Sequence, residues 1–137
     1  MERVVKFRGK CMYSDEWVYG DLIHKRHDRD ALMIQDENGL GSDVVPESVG
    51  QFTGLQDKND KGIYEGDIVT QYWGLPHYRN GVYYDCNARI GSVVFHKSGS
   101  FLLLSGGNLY RLLGDGLTQE VQGNIHDTPN LLTDDND

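Results

Sequence analysis

A chain of 137 residues, 38% of them hydrophobic, fits one domain with room for two subdomains and can bury a core. Its net charge of −8, from 13 Lys and Arg against 21 Asp and Glu, withholds the basic footprint of a nucleic-acid binder. Seventeen Gly, eight Tyr and only three Pro favour strands joined by tight turns over a helix bundle.

In chain order, residues 4–8 (Val-Val-Lys-Phe-Arg) alternate apolar and basic side chains and predict a half-buried strand, interrupted by Gly9. Residues 16–23 place Trp17 and Tyr19 on one face of a second strand. Residues 24–30, HKRHDRD, read as a charged connection. Residues 31–35 form a third strand, stopped by the turn signal Asp36-Glu37-Asn38-Gly39. Around Pro46 two forms are open: a short helical turn with Pro46 at its first position, ended by Gly50, or extended chain. Residues 63–73 and 89–96 are strands rich in Ile, Val, Tyr and Phe, and Lys97-Ser98-Gly99-Ser100 turns the second into a partner at 101–105. Between them, residues 74–88 (GLPHYRNGVYYDCNA) read as a long loop or excursion, where function often concentrates. Residues 109–113 are a short strand or a helical turn, and 119–125 a final strand. Pro129 then stops regular structure before an acidic tail.

The stretch Asp57-Lys58-Asn59-Asp60-Lys61-Gly62 begins like a calcium loop. Such a loop needs oxygen ligands at positions 1, 3 and 5 and a Glu at 12. Lys61 stands at position 5 and Ile68 at 12, so the stretch reads as a polar turn, with Gly62 taking a positive φ. Gly66, between Glu65 and Asp67, suggests a bulge, and Gly66-Asp67-Ile68-Val69 suits the entry to a strand of an SH3-like barrel. Glu65 and Asp67 would share one face of an unbroken strand, as two solvated acids rather than a catalytic pair. Asp21, His24, His27 and Asp28 would share a face only on a helix, and Lys25, Arg26 and Arg29 oppose a divalent cation there. No nucleophile elbow or phosphate-binding glycine motif is present. No catalytic, metal or cofactor-binding residue is therefore expected, and no enzyme activity.

Tyr72, Trp73, Tyr78, Arg79, Tyr83 and Tyr84 gather aromatic and cationic side chains in one region, and they are the expected interaction surface. Cys11 and Cys86 form no CxxC pair and are expected as reduced thiols. The N-terminal MERVVKFRGK has charges where a signal sequence would be apolar, and the longest apolar run is Phe101 to Leu104. A soluble, cytoplasmic protein without a membrane span is expected.

Four stretches in order resemble the YopX family of bacteriophage and prophage proteins. They are Lys6-Phe7-Arg8-Gly9-Lys10 with Glu16-Trp17-Val18-Tyr19-Gly20; residues 45–59, VPESVGQFTGLQDKN; Ile63-Tyr64-Glu65-Gly66-Asp67-Ile68-Val69; and Gly123-Asn124-Ile125-His126-Asp127 with Pro129 and Leu131-Leu132. This sequence departs from the family pattern with Asp60 where Gly is usual after Asn59, and with Gly62 in place of Glu. A turn glycine moved by two residues is one reading of that change. The resemblance implies a small, mostly β, phage- or prophage-encoded protein in the bacterial cytoplasm, with self-association plausible and no established activity.

The expected fold is mainly β, with antiparallel strands forming an SH3-like barrel over residues 50–128, additional N-terminal strands over 1–49, little helix, and an acidic tail at 129–137. The expected role is a non-enzymatic phage accessory protein binding itself or a host or phage protein through sheet edges and aromatics. Two alternatives come from other classes. One is an acidic inhibitor of a host nucleic-acid-binding protein, suggested by the eight acids against two bases in residues 31–70. The other is a small metal-dependent enzyme using Asp21, His24, His27 and Asp28.

Overall fold

The computed structural model describes residues 4–25, 28–113 and 118–133. Within them the chain is antiparallel β-structure with almost no helix. It divides into two compact units, Met1–Gly54 and Leu55–Asp137.

The first unit contains β1 (Phe7–Lys10), β2 (Trp17–Lys25), β3 (Asp28–Gln35) and β4 (Gly41–Val44), hydrogen-bonded in the order β4-β3-β2-β1. The start of β5 (Gly50–Gln56) adds to the free side of β1 through Phe7 opposite Gln51 and Arg8 opposite Gly50. Strand alternation explains its two faces. On one, Gly9 leaves room for the buried side chains of Ile34 and Val44, which a Cβ at this position would meet at 3.0 to 3.2 Å. On the other, Arg8 and Lys10 lie over the Trp17 ring at 4.7 and 5.8 Å, and Lys6 over Tyr19 at 5.7 Å. The Asp36 turn forms as expected. Its carboxylate accepts from the backbone N–H groups of Asn38 and Leu40, both at 2.9 Å. Pro46–Ser48 is a single 3-10 turn with Pro46 in its first turn. The Ser48 hydroxyl ties it to β1, accepting from Lys10 N–H at 2.8 Å and donating to the Val45 carbonyl at 2.6 Å. Most of the charged run at 24–30, expected as a connection, belongs to strands, since β2 extends to Lys25 and β3 begins at Asp28; residues 26 and 27 lie outside the described residues.

The second unit contains β6 (Gly62–Tyr64), β7 (Asp67–Trp73), β8 (His77–Arg79), β9 (Val82–Tyr84), β10 (Asn87–Phe95), β11 (Phe101–Ser105), β12 (Asn108–Arg111), β13 (Gln119–Asn124) and a single helical turn, α1 (Asn130–Thr133). Pro129 thus precedes a turn of helix, a place that suits its fixed φ. Five strands make one sheet in the order β12-β11-β10-β7-β13. Val69, Val93 and Leu103 of this sheet form the core together with Ile63 of β6, with Leu55, Phe101, Tyr110, Leu112 and Val121 against it.

The sheet ends at β12 and β13, and among the described residues it does not close into a barrel. Glutamine side chains partly stand in for the missing ladder, because a carboxamide carries the donor and acceptor of a peptide group. Gln119, fully buried, accepts from Leu113 N–H at 3.0 Å and donates to the Leu113 carbonyl at 2.6 Å. Gln71 donates to the Arg111 carbonyl at 2.9 Å.

The expected strand at 63–73 is broken at Glu65-Gly66. Gly66 has φ 92°, donates to the Val93 carbonyl and accepts from Ile125 N–H. The buried Asp67 carboxylate accepts from Tyr64 N–H at 2.8 Å and so stabilises the turn. Glu65 and Asp67 therefore do not sit at i and i+2 of one strand.

The calcium-like stretch is a turn, but its left-handed residue is Asp60 at φ 64°, not Gly62. A carboxylate residue therefore occupies the left-handed position of the turn. An L-residue is strained there and Gly is not. Asp60→Gly should raise the unfolding free energy by about 0.5–1 kcal/mol, read as a rise in thermal midpoint of a few degrees.

Candidate interaction surface

Residues 74–88 are not an irregular loop. β8 and β9 form a two-stranded antiparallel hairpin, with His77 opposite Tyr84, Tyr78 opposite Tyr83 and Arg79 opposite Val82. Asn80 (φ 52°) and Gly81 (φ 79°) occupy its two-residue turn, both left-handed as a type I′ turn demands. All six strand residues are exposed, Tyr78 by 76%, and so is Leu75 by 82%. The side chains hold one another. His77 stacks on Tyr84 at 5.3 Å between ring centroids, and Tyr78 meets Tyr83 at 5.1 Å in a tilted pair.

At the base of the hairpin, Tyr72 and Trp73 end β7 and point to opposite faces, as neighbours on a strand must. Tyr72 is half-buried beneath Lys58, whose ammonium lies 5.4 Å from the ring centroid. Lys58 also pairs with Glu120 at 2.8 Å, and that hydrogen bond and charge raise its pKa. Trp73 lies on the inner side with Gln71 and Val69. Opposite on β10, Arg89 pairs with Gln71 in register and reaches diagonally to Trp73. The Arg89 guanidinium carbon is 4.3 Å from the Trp73 ring centroid and 3.8 Å from that of Tyr110 on β12.

Of the six residues expected to form the surface, Tyr78, Arg79, Tyr83 and Tyr84 come together on the hairpin and Trp73 stands at its base. Tyr72 belongs to the other face. Arg89 and Tyr110 gather with Trp73 at the base and carried no sequence signal, since they stand 21 positions apart in the meander. Leu75 and Val82 extend the apolar area of the surface.

The other candidates are dispersed. Asp21 and His24 lie three residues apart on the extended β2, hence on opposite faces, so the helical face that would have joined them does not exist. His27 is outside the described residues, as is the Asp28 side chain. Among the described residues no group of three or more His, Cys, Asp or Glu is placed to hold a metal ion. Cys11 and Cys86 are free and half-buried. Hydrogen bonds from Ser14, with backbone N–H groups of Tyr13 and Ser14, lower the pKa of Cys11. No helix among the described residues is long and apolar enough to cross a membrane.

These features define a small all-β protein that exposes an aromatic hairpin. It belongs to the YopX family: the family model described as YopX protein matches residues 6–133. Among solved structures it is similar to the crystal structure of protein EF1440 from Enterococcus faecalis. The TM-score is 0.53 at 21% identity, over 96% of this chain and 99% of that one, which shows a shared fold. A search of curated proteins finds no match.

Proposed function

We propose that the protein is a non-enzymatic interaction module, a phage or prophage accessory protein acting in the bacterial cytoplasm. It binds a protein partner, a second copy or a host or phage protein, through the β8–β9 hairpin. The observation that carries this reading is the exposure of every strand residue of that hairpin, three of the six being tyrosines. A two-stranded hairpin with neither face covered is marginal in water, and Tyr and Trp contribute most where a partner desolvates them. The order β13-β7-β10-β11-β12 supports an SH3-like reading of the second unit, a meander whose last strand returns to its first. In that frame the hairpin is an insertion between the first and second strands of the meander.

The test is affinity capture from bacteria that carry or are infected by the parent phage, with wild type and with the double variant Tyr78→Ser, Tyr83→Ser. Both positions lie outside the core, so beyond the loss of their ring pair, about 0.5–1.5 kcal/mol, stability should hold. Partner recovery should fall at least about tenfold, as for removal of interface aromatics. Equal recovery by the variant rejects the reading. The rival reading as an acidic inhibitor draws on the −8 charge. It requires recovery to collapse with salt while ignoring the tyrosines.

A further inference from the structure

We infer that Arg89 is the anchor of this surface and that it receives a carboxylate from an acidic segment of the partner; the inference rests on the hairpin being the binding surface. Three observations lead there. First, the guanidinium carbon lies 4.3 Å from the Trp73 ring centroid and 3.8 Å from that of Tyr110, so two rings hold it in place. Second, no described carboxylate pairs with it, and its Nε–H is buried without an acceptor. With Nε–H closed off, the Nη groups are the edge that an incoming acceptor would meet, and their planar fork matches a carboxylate bidentately. Third, the hairpin from His77 to Tyr84 carries no acid. Between Asp67 and Asp85 the sequence carries no Asp or Glu, although the whole chain has net charge −8, and Arg79 and His77 add donors on the hairpin. An acid-free arm on an acidic protein attracts negative charge locally, while the remaining surface repels it.

The shape of the site suits a peptide. Along the inner face the apolar core gives way to Gln71, then to Trp73 and Arg89 at the end of the sheet. An apolar surface with a few fixed polar groups suits a ligand that mixes apolar and acidic side chains. Arg89 supplies one fixed cation and the hairpin supplies apolar area. A nucleic-acid strand would ask for several cations along its phosphates, and the nearby Lys58 is already engaged by Glu120.

The experiment uses the full-length Trp17→Phe protein, in which Trp73 is the sole tryptophan and its emission reports on the site. The probes are a dodecapeptide of alternating Asp and Val, its Asn counterpart, and a dodecamer of deoxythymidine. Saturable quenching or enhancement by the Asp peptide alone is expected, weakening severalfold between about 0.1 and 0.5 M salt. Arg89→Lys should weaken binding at least about tenfold and Arg89→Gln should abolish it. Absence of saturation by the Asp peptide overturns the inference, as does unchanged binding by Arg89→Lys or saturation by the oligonucleotide instead. Arg89→Lys keeps the stem and charge, so it decides the matter even if Arg89→Gln does not fold. Undiminished partner capture by Arg89→Gln would sink the anchor role and leave the hairpin reading standing; loss of capture in the tyrosine variant tests that reading separately.

Discussion

Asp57→Ala should lower the unfolding free energy by about 3–5 kcal/mol, measured by urea unfolding. The side chain is fully buried, and its two oxygens accept three backbone N–H groups. One oxygen takes Asn59 at 2.8 Å and Lys61 at 2.9 Å, closing the turn. The other takes Val121 at 2.9 Å, across 64 residues of sequence, and pins the turn to β13. Lys58 N–H donates to the Gln119 carbonyl beside it at 2.9 Å. Alanine would strand the Val121 donor and release both ends of the turn. Asp57→Asn keeps a single acceptor and sets an amide against a donor, so an intermediate loss of about 2 kcal/mol is expected. Burial pushes the Asp57 pKa up. The N–H groups of Val121, Lys61 and Asn59, with the Lys61 charge, overcome it and hold the pKa below the usual carboxylate range. A pKa lowered on folding gives stability that is present above the unfolded value, near pH 4, and is lost as pH falls through the folded value. The stability gap between wild type and Asp57→Asn should therefore narrow as pH drops below about 4.

Gly91→Ala should cost about 3 kcal/mol or more in the same measurement. β10 changes partner at this point, pairing with β7 from Asn87 to Ser92 and with β11 from Ser92 to Phe95. A Cβ on Gly91 would land on the Leu104 carbonyl oxygen, with the Leu104 carbonyl carbon 2.9 Å and Ser105 Cβ 3.0 Å away. Backbone cannot rotate aside as a flexible side chain can, so the two strands would have to part. Their separation would also strain the bond from the Ser105 hydroxyl to the Ile90 carbonyl, now 2.7 Å. Gly81→Ala is the contrasting case. Nothing lies within 4 Å of a Cβ there, and only the left-handed backbone at φ 79° opposes it, so about 1 kcal/mol is expected.

The strands at 101–105 and 119–124 were legible from the turns that flank them, and the turns at Asp36 and Ser98-Gly99 from their own chemistry, whereas β4 and β5 carried no pattern that marked them as strands. The hairpin at 77–84 was not legible either, although Asn80-Gly81 is a strong hairpin signal. His-Tyr-Arg and Val-Tyr-Tyr do not alternate, since neither face is covered, and the pattern that would have framed the turn is missing. The same exposure that hid the element from periodicity makes it the candidate surface. Asp57 was legible as a turn residue, but its hold on Val121 was not, because nothing local encodes a partner in a distant strand. Arg89 was hidden for the same reason. Its ring partners come from β7 and β12, brought near by the sheet and not by spacing in the chain.

The most direct test of the hairpin as the interaction surface is site-specific photo-crosslinking in the producing bacteria. A benzophenone amino acid would replace Tyr83 in one protein and exposed Leu40, in the first unit, in another. The account predicts a discrete crosslinked protein adduct from position 83 and none from position 40. Adducts from position 40 with none from 83 would contradict it, as would no adduct from either.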